Sequence, residues 1–159
     1  ELKSSYEIAS QTFDKAFRNV EEDPSLAIGL ANSALESIIK EILKDKRISI
    51  QWNERDTLSS LIISICRAFQ LDTDSTFPTE IRTIASSLIK CSKAIEDLRS
   101  DKTILHGKVD GNYIVTDSIF AYFVVNAVTT TGLFLLNYYK TKYPSESTIV
   151  FSKMNDLPF

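Results

Sequence analysis

The run SLAIGLANSALESIIKEIL, residues 25–43, is apolar nearly all the way round a helical wheel. A helix with so narrow a polar stripe has to lie inside a bundle. Before it stands EEDP. Asp23 is a good N-cap, and Pro24 suits a first helical position, where its missing N–H is not needed. The spacing predicts a central helix from Pro24 to about Lys46. Glu36 interrupts its apolar run. A carboxylate there is costly unless it is paired or lies at a cleft edge, so Glu36 is either a site residue or an exposed-edge glutamate.

The flanking segments extend the helical reading. From about Lys3 to Val20, the residues Leu2, Tyr6, Ala9, Phe13, Ala16, Phe17 and Val20 recur at steps of three and four. Glu54 to Gln70 repeats the pattern through Leu58, Leu61, Ile62, Ile65, Ala68 and Phe69, after a connector containing Trp52. A fourth helix carries the most regular seam in the chain: Phe77, Ile81, Ile84, Leu88, Cys91, Ile95 and Leu98. Core is the default for such a seam on one helix. A last helix, capped by Thr116 or Asp117, runs to about Lys140. Ser118 to Tyr139 has no charge, which suits a buried bundle centre, a subunit interface or, less well given its Asn and Thr residues, a membrane span.

The expected fold is therefore all-α: a single bundle of about five helices over residues 1–140, followed by an irregular tail over 141–159. Asp110-Gly111 suggests a small hairpin, and Thr148–Phe151 a short strand. With 43% hydrophobic and 25% charged residues in 159, the chain is an ordinary globular domain. A net charge of −3 excludes coating of nucleic acid by the whole surface; contact with RNA would need a local basic patch. The N-terminal ELKSSYEIAS has no apolar run of a signal peptide, so a cytoplasmic protein is expected. It also lacks an initiator Met, as a piece of a longer protein would. Cys66 and Cys91 lie in apolar helical patterns and read as buried free thiols. With one histidine they supply no metal site, and no cofactor is expected.

That single histidine is His106, in IEDLRSDKTILHGK, residues 95–108. Arg99 ends a strongly specified helix, and Asp101, Lys102, Gly107 and Lys108 make the surroundings of His106 polar. Metal-free RNA cleavage needs these groups: an imidazole to move a proton near neutral pH, and a guanidinium to hold phosphorane charge. One pair is a thin site; a two-fold dimer would supply an acid and a base. From Lys90 to Lys108, five cations face three carboxylates, a local +2 in a negative chain. Lys102 and Lys108 are the candidate RNA-binding residues, although charges on helix faces are usually just solvated.

The stretch LRSDKTILHGK resembles the signature of the HEPN superfamily, in which an Arg followed by a polar residue precedes a His; here Ser100 to Leu105 intervene. The wider segment, from Ala31 to Tyr139, is similar to its abortive-infection C-terminal family. That family has a helix ending Leu-Arg-Asn, a loop ending Ala-His-Gly, then a long apolar helix. Leu98-Arg99-Ser100, Leu105-His106-Gly107 and Ile119–Leu136 correspond, and SALESIIKEIL at 33–43 resembles the upstream helix. Ser100 replaces Asn and Leu105 a small residue. The resemblance implies an all-α bundle, metal-independent endoribonuclease chemistry through Arg99 and His106 at a homodimer interface, and a role in phage defence or as a toxin. Ser100 and Glu36 would support that site. An antitoxin or an upstream sensor domain would be further partners. The alternatives are a non-catalytic dimerisation or partner-binding module and, resting only on the last helix, a membrane-anchored domain.

Overall fold

The structure, a computed structural model, describes residues 2–102 and 116–144, with residues 2–5 and 100–102 as backbone only. Among these it contains helices and no strand: α1 (Leu2–Asn19), α2 (Pro24–Leu43), α3 (Leu58–Ala68), α4 (Thr79–Lys102) and α5 (Ser118–Lys142). The all-α expectation holds. The hairpin at Asp110-Gly111 and the strand at 148–151 fall outside the described residues.

α2 is the central helix. Asp23 caps it by accepting from the Leu26 amide at 2.9 Å, and Pro24 follows, as the sequence predicts. α1 packs antiparallel to α2, and α5 runs alongside α2 in the same direction. The three meet at Gly132. A Cβ there would lie 3.3 Å from Ile38 Cδ1, 3.5 Å from Phe13 Cζ and 3.6 Å from Leu35 Cδ1, so a side chain even as small as alanine would fill the space where they meet. Buried isoleucines, leucines and valines from α2, α3 and α5 fill the core, with Ala9, Phe13, Ala16 and Val20 closing it from α1.

Some helix ends differ from the sequence reading. α2 stops at Leu43 rather than Lys46, because the chain turns there into a knot of polar contacts. Arg47 donates to both oxygens of Asp45 and to the carbonyls of Tyr143 and Pro144, while the Tyr139 hydroxyl donates to Asp45 at 2.6 Å. The Trp52 indole donates to the Leu43 carbonyl at 3.1 Å, using an acceptor left free at the helix end. α3 begins at Leu58, not Glu54. Asn53 to Asp56 form a closed turn, and Thr57 caps the helix by accepting from the Ser60 amide. α3 ends at Ala68 rather than Gln70; Phe69 is its C-cap, and Gln70 just beyond lies in the left-handed region (φ 54°).

α4 is the main correction. Only part of its regular seam meets the core: Phe77, Ile95 and Leu98 are half-buried and packed against it, Leu88 is half-buried, and Ile81, Ile84 and Cys91 are exposed. The stripe turned inward carries the smaller Ala85 and Ser92, followed by Glu96 and Arg99. Cys91 is thus not a buried thiol. Cys66 is, and burial pushes its thiol up to about 12, far from reactive.

α5 buries one face, through Ala121, Val124, Val125, Val128, Gly132, Leu135 and Tyr139, and leaves the other exposed, so it is not the bundle's centre. By length and composition it is the one helix among the described residues able to cross a membrane.

Candidate functional site

The end of α4 is held from two sides. Glu96 lies one turn before Arg99 and accepts from the Ser59 amide at 3.1 Å, in the first turn of α3. That amide is one of the donors a helix N-terminus leaves over, and a carboxylate there is favoured by the helix dipole. On the other side Arg99 Nη1 donates to Glu36 Oε1 at 3.0 Å. Both side chains are mostly enclosed, at 27% and 22% exposed, so this pair is screened less than a surface one. Lys40, one turn after Glu36 on the same face of α2, donates to the Glu54 carbonyl at 2.8 Å and pins the Asn53–Asp56 turn beside the α3 N-terminus.

Of the site residues expected from sequence, the structure joins Arg99 and Glu36 directly. Glu36 is neither an idle edge residue nor a lone buried charge: it fixes the guanidinium. Ser100 and Lys102 continue α4, with backbone alone described. His106 and Lys108 lie outside the described residues. Sequence reasoning missed the bracket of Glu96, Ser59 and Lys40. Its one legible signal was the charged pair Glu36 and Lys40, one turn apart on a largely apolar helix.

Asn32 was also missed. It lies one turn before Glu36 on α2 and is fully buried; neither polar atom of its side chain has a hydrogen-bond partner among the described residues. Chemically, the arrangement presents a guanidinium of fixed position near the C-terminal end of α4. Among the described residues no three His, Cys, Asp or Glu side chains come together as metal ligands would.

No curated protein and no solved structure matches this chain. A family described as an HEPN-like domain, Abi_C, matches residues 7–139. The match runs from α1 to the last turns of α5 and includes both Glu36 and Arg99. With five helices in order, α2 at the centre and Arg99 anchored at the end of α4, the chain belongs to the Abi_C family of HEPN-like domains.

Proposed function

We propose that this HEPN-like domain is a metal-independent endoribonuclease acting in phage defence or as a toxin, with Arg99 and His106 as catalytic residues brought together from two copies of the chain. The observation that carries the reading is the anchoring of Arg99. A guanidinium that stabilises transition-state charge must be placed before the reaction begins, and Arg99 is placed by Glu36 and by the bracket of Glu96 on α3.

In this mechanism the ribose 2′-oxygen attacks phosphorus as one His106 takes its proton. The bond from phosphorus to the 5′-oxygen breaks, and the second His106 protonates that oxygen. The products are a 2′,3′-cyclic phosphate and a 5′-hydroxyl. Arg99 holds the charge of the phosphorane. Ser100 orients the guanidinium or phosphate, and Lys102 and Lys108 hold the flanking RNA backbone. The proposed place of action is the cytoplasm, with an antitoxin or an upstream sensor domain as the source of control.

One observation favours a second reading, a non-catalytic dimerisation or partner-binding module: Glu36 already neutralises Arg99. The deciding experiment is cleavage of single-stranded RNA by the purified protein in EDTA. General acid–base groups contribute about 10²–10⁴-fold, so His106→Ala should lose that much in the chemical step. Arg99→Ala should lose on the order of 10²-fold or more, and Arg99→Lys should recover only part, since an ammonium cannot replace the guanidinium fork. Activity that needs magnesium, or a His106→Ala protein that cuts as fast as wild type, would sink the nuclease assignment; an inert wild type would favour the binding module.

A further inference from the structure

We propose that an apolar cavity between α4 and α5 takes a segment of this same chain, residues 148–151, with Ile149 and Phe151 filling it. The proposal stands apart from the nuclease reading.

Ile81, Ile84 and Leu88 of α4, Phe134 of α5 and Leu71 from the turn after α3 line a cavity of about 330 Å³. α4 packs against α3 and α2 and makes little direct contact with α5, so the cavity is the gap between them. Its walls carry almost no polar surface. Thr131, at its edge, spends its hydroxyl on the Ala127 carbonyl at 2.9 Å. A small-molecule site keeps a few polar groups that fix the orientation of its ligand, and this volume is at the small end of such sites. Apolar side chains need no polar anchor, because their own backbone orients them. Ile84 is 58% and Phe134 43% exposed, apolar surface that an occupant would take out of water.

The occupant is chosen by the course of the chain after α5. From Phe134, in the cavity wall, a row of rings leads to Tyr143: Phe134 to Tyr138 at 6.1 Å, Tyr138 to Phe69 at 4.8 Å, Phe69 to Tyr143 at 6.2 Å. Arg47 holds the Pro144 carbonyl at 3.0 Å, which fixes the point of departure. Phe134 lies nine residues before Tyr143, about 14 Å along the helix axis. Ile149 and Phe151 follow Pro144 by five and seven residues, a reach of roughly 17 and 23 Å when extended. Residues 145–148, Ser-Glu-Ser-Thr, are polar, as a strap crossing the surface must be. In an extended segment Ile149 and Phe151 point to one side, about 7 Å apart, and Val150 to the other. Tethering favours this occupant over a free one, since a short linker supplies an effective concentration in the millimolar range. Once seated, the segment braces the first half of α4, whose last turns carry Arg99.

The test uses the full chain with Cys91→Ser, which leaves only the buried Cys66. Ser152→Cys is paired either with Ile81→Cys at the cavity rim or with Ser10→Cys on the exposed side of α1, and disulfide formation is followed by mass spectrometry. Hydrogen exchange over residues 79–90 is compared between wild type and the double variant Ile149→Ser, Phe151→Ser. We expect the Ile81→Cys pair to close within one chain about tenfold faster than the Ser10→Cys pair. Exchange over 79–90 should be about tenfold faster in the double variant, with α2 unchanged. Equal disulfide rates, or exchange over 79–90 that is the same in both proteins, overturn the proposal. So does a disulfide that forms between chains, which would put a second copy in the cavity. So does protection of 79–90 by dodecanoate but not by the segment, which would make the cavity an alkyl-chain site. If the double variant unfolds the whole bundle, the disulfide rates decide alone. None of these outcomes depends on RNA cleavage.

Discussion

Arg99 and Glu36, 63 positions apart in the chain, are joined by a 3.0 Å hydrogen bond between α4 and α2. The bond makes Arg99 part of the packing of the bundle as well as of its candidate site. Arg99→Ala should therefore cost more than the roughly 0.5 kcal/mol of an ordinary surface change, about 1–2 kcal/mol. A cycle of Arg99→Ala and Glu36→Ala, read by urea unfolding, should show a coupling near 1 kcal/mol. Additive single mutants would mean that the pair contributes nothing to stability.

Asp45 gives the protein an acid-sensitive lock. Hydrogen bonds from Arg47, then from Tyr139, hold its carboxyl well below the usual carboxylate range, against the opposing effect of burial. A depressed folded-state pKa stabilises above the unfolded value, about 3.9, and that stabilisation fades as pH falls through the folded value. Arg47 is half exposed, so the contribution is discounted to about 1 kcal/mol. Asp45→Asn should be less stable than wild type by that much at pH 7. The gap should narrow only below about pH 4. A gap that is constant from pH 7 to pH 2.5 would show that the carboxylate charge is not what matters.

Among the described residues the buried Asn32 amide has no hydrogen-bond partner, a cost of about 1–3 kcal/mol. Asn32→Leu, similar in shape, should raise stability by about 1 kcal/mol. That corresponds to about 2–4 °C in Tm for a chain of this size. A lower Tm would mean that the amide has a polar partner that Leu displaces.

Gln70, the residue after the C-cap of α3, has φ 54°, a conformation that disfavours any side chain with a Cβ. The Leu71 amide donates back to the Cys66 carbonyl at 3.1 Å, closing the turn in the manner that usually recruits glycine. Gln70→Gly should stabilise by about 0.5–1 kcal/mol in thermal or urea melts. A loss would mean that the Gln side chain contributes packing greater than the strain it carries.

How much of this was legible in the sequence depended on residue size and distance. Asp23 and Pro24 announce the start of α2, and its apolar circumference announces its central place; both are local signals. α4 misled because large apolar residues dominate a periodicity reading. Ile81 and Ile84 line an open cavity between α4 and α5 and stay exposed, while the smaller Ala85 and Ser92 are the fully buried positions. The cap at Thr57 and the turn at Gln70 were hidden behind a run that looks helical from Glu54. The sequence marks Glu36 as needing a partner or a cleft and Arg99 as a site residue, but only the crossing of α2 and α4 makes them a pair. His106 and Lys108 lie outside the described residues, so for the candidate site the sequence still carries half of the argument.

Trp52, the only tryptophan in the chain, bonds to the end of α2 and stands beside the turn that Lys40 pins. The protein thus carries a single optical reporter, and it looks at one place: the connector that braces the Glu36 and Lys40 face of α2. Its emission will redden when that brace opens, whatever the helices are doing. Melting followed by fluorescence and by circular dichroism would coincide if the brace and the bundle open together. If the fluorescence transition came first, the ground under Arg99 would loosen while the core was still intact.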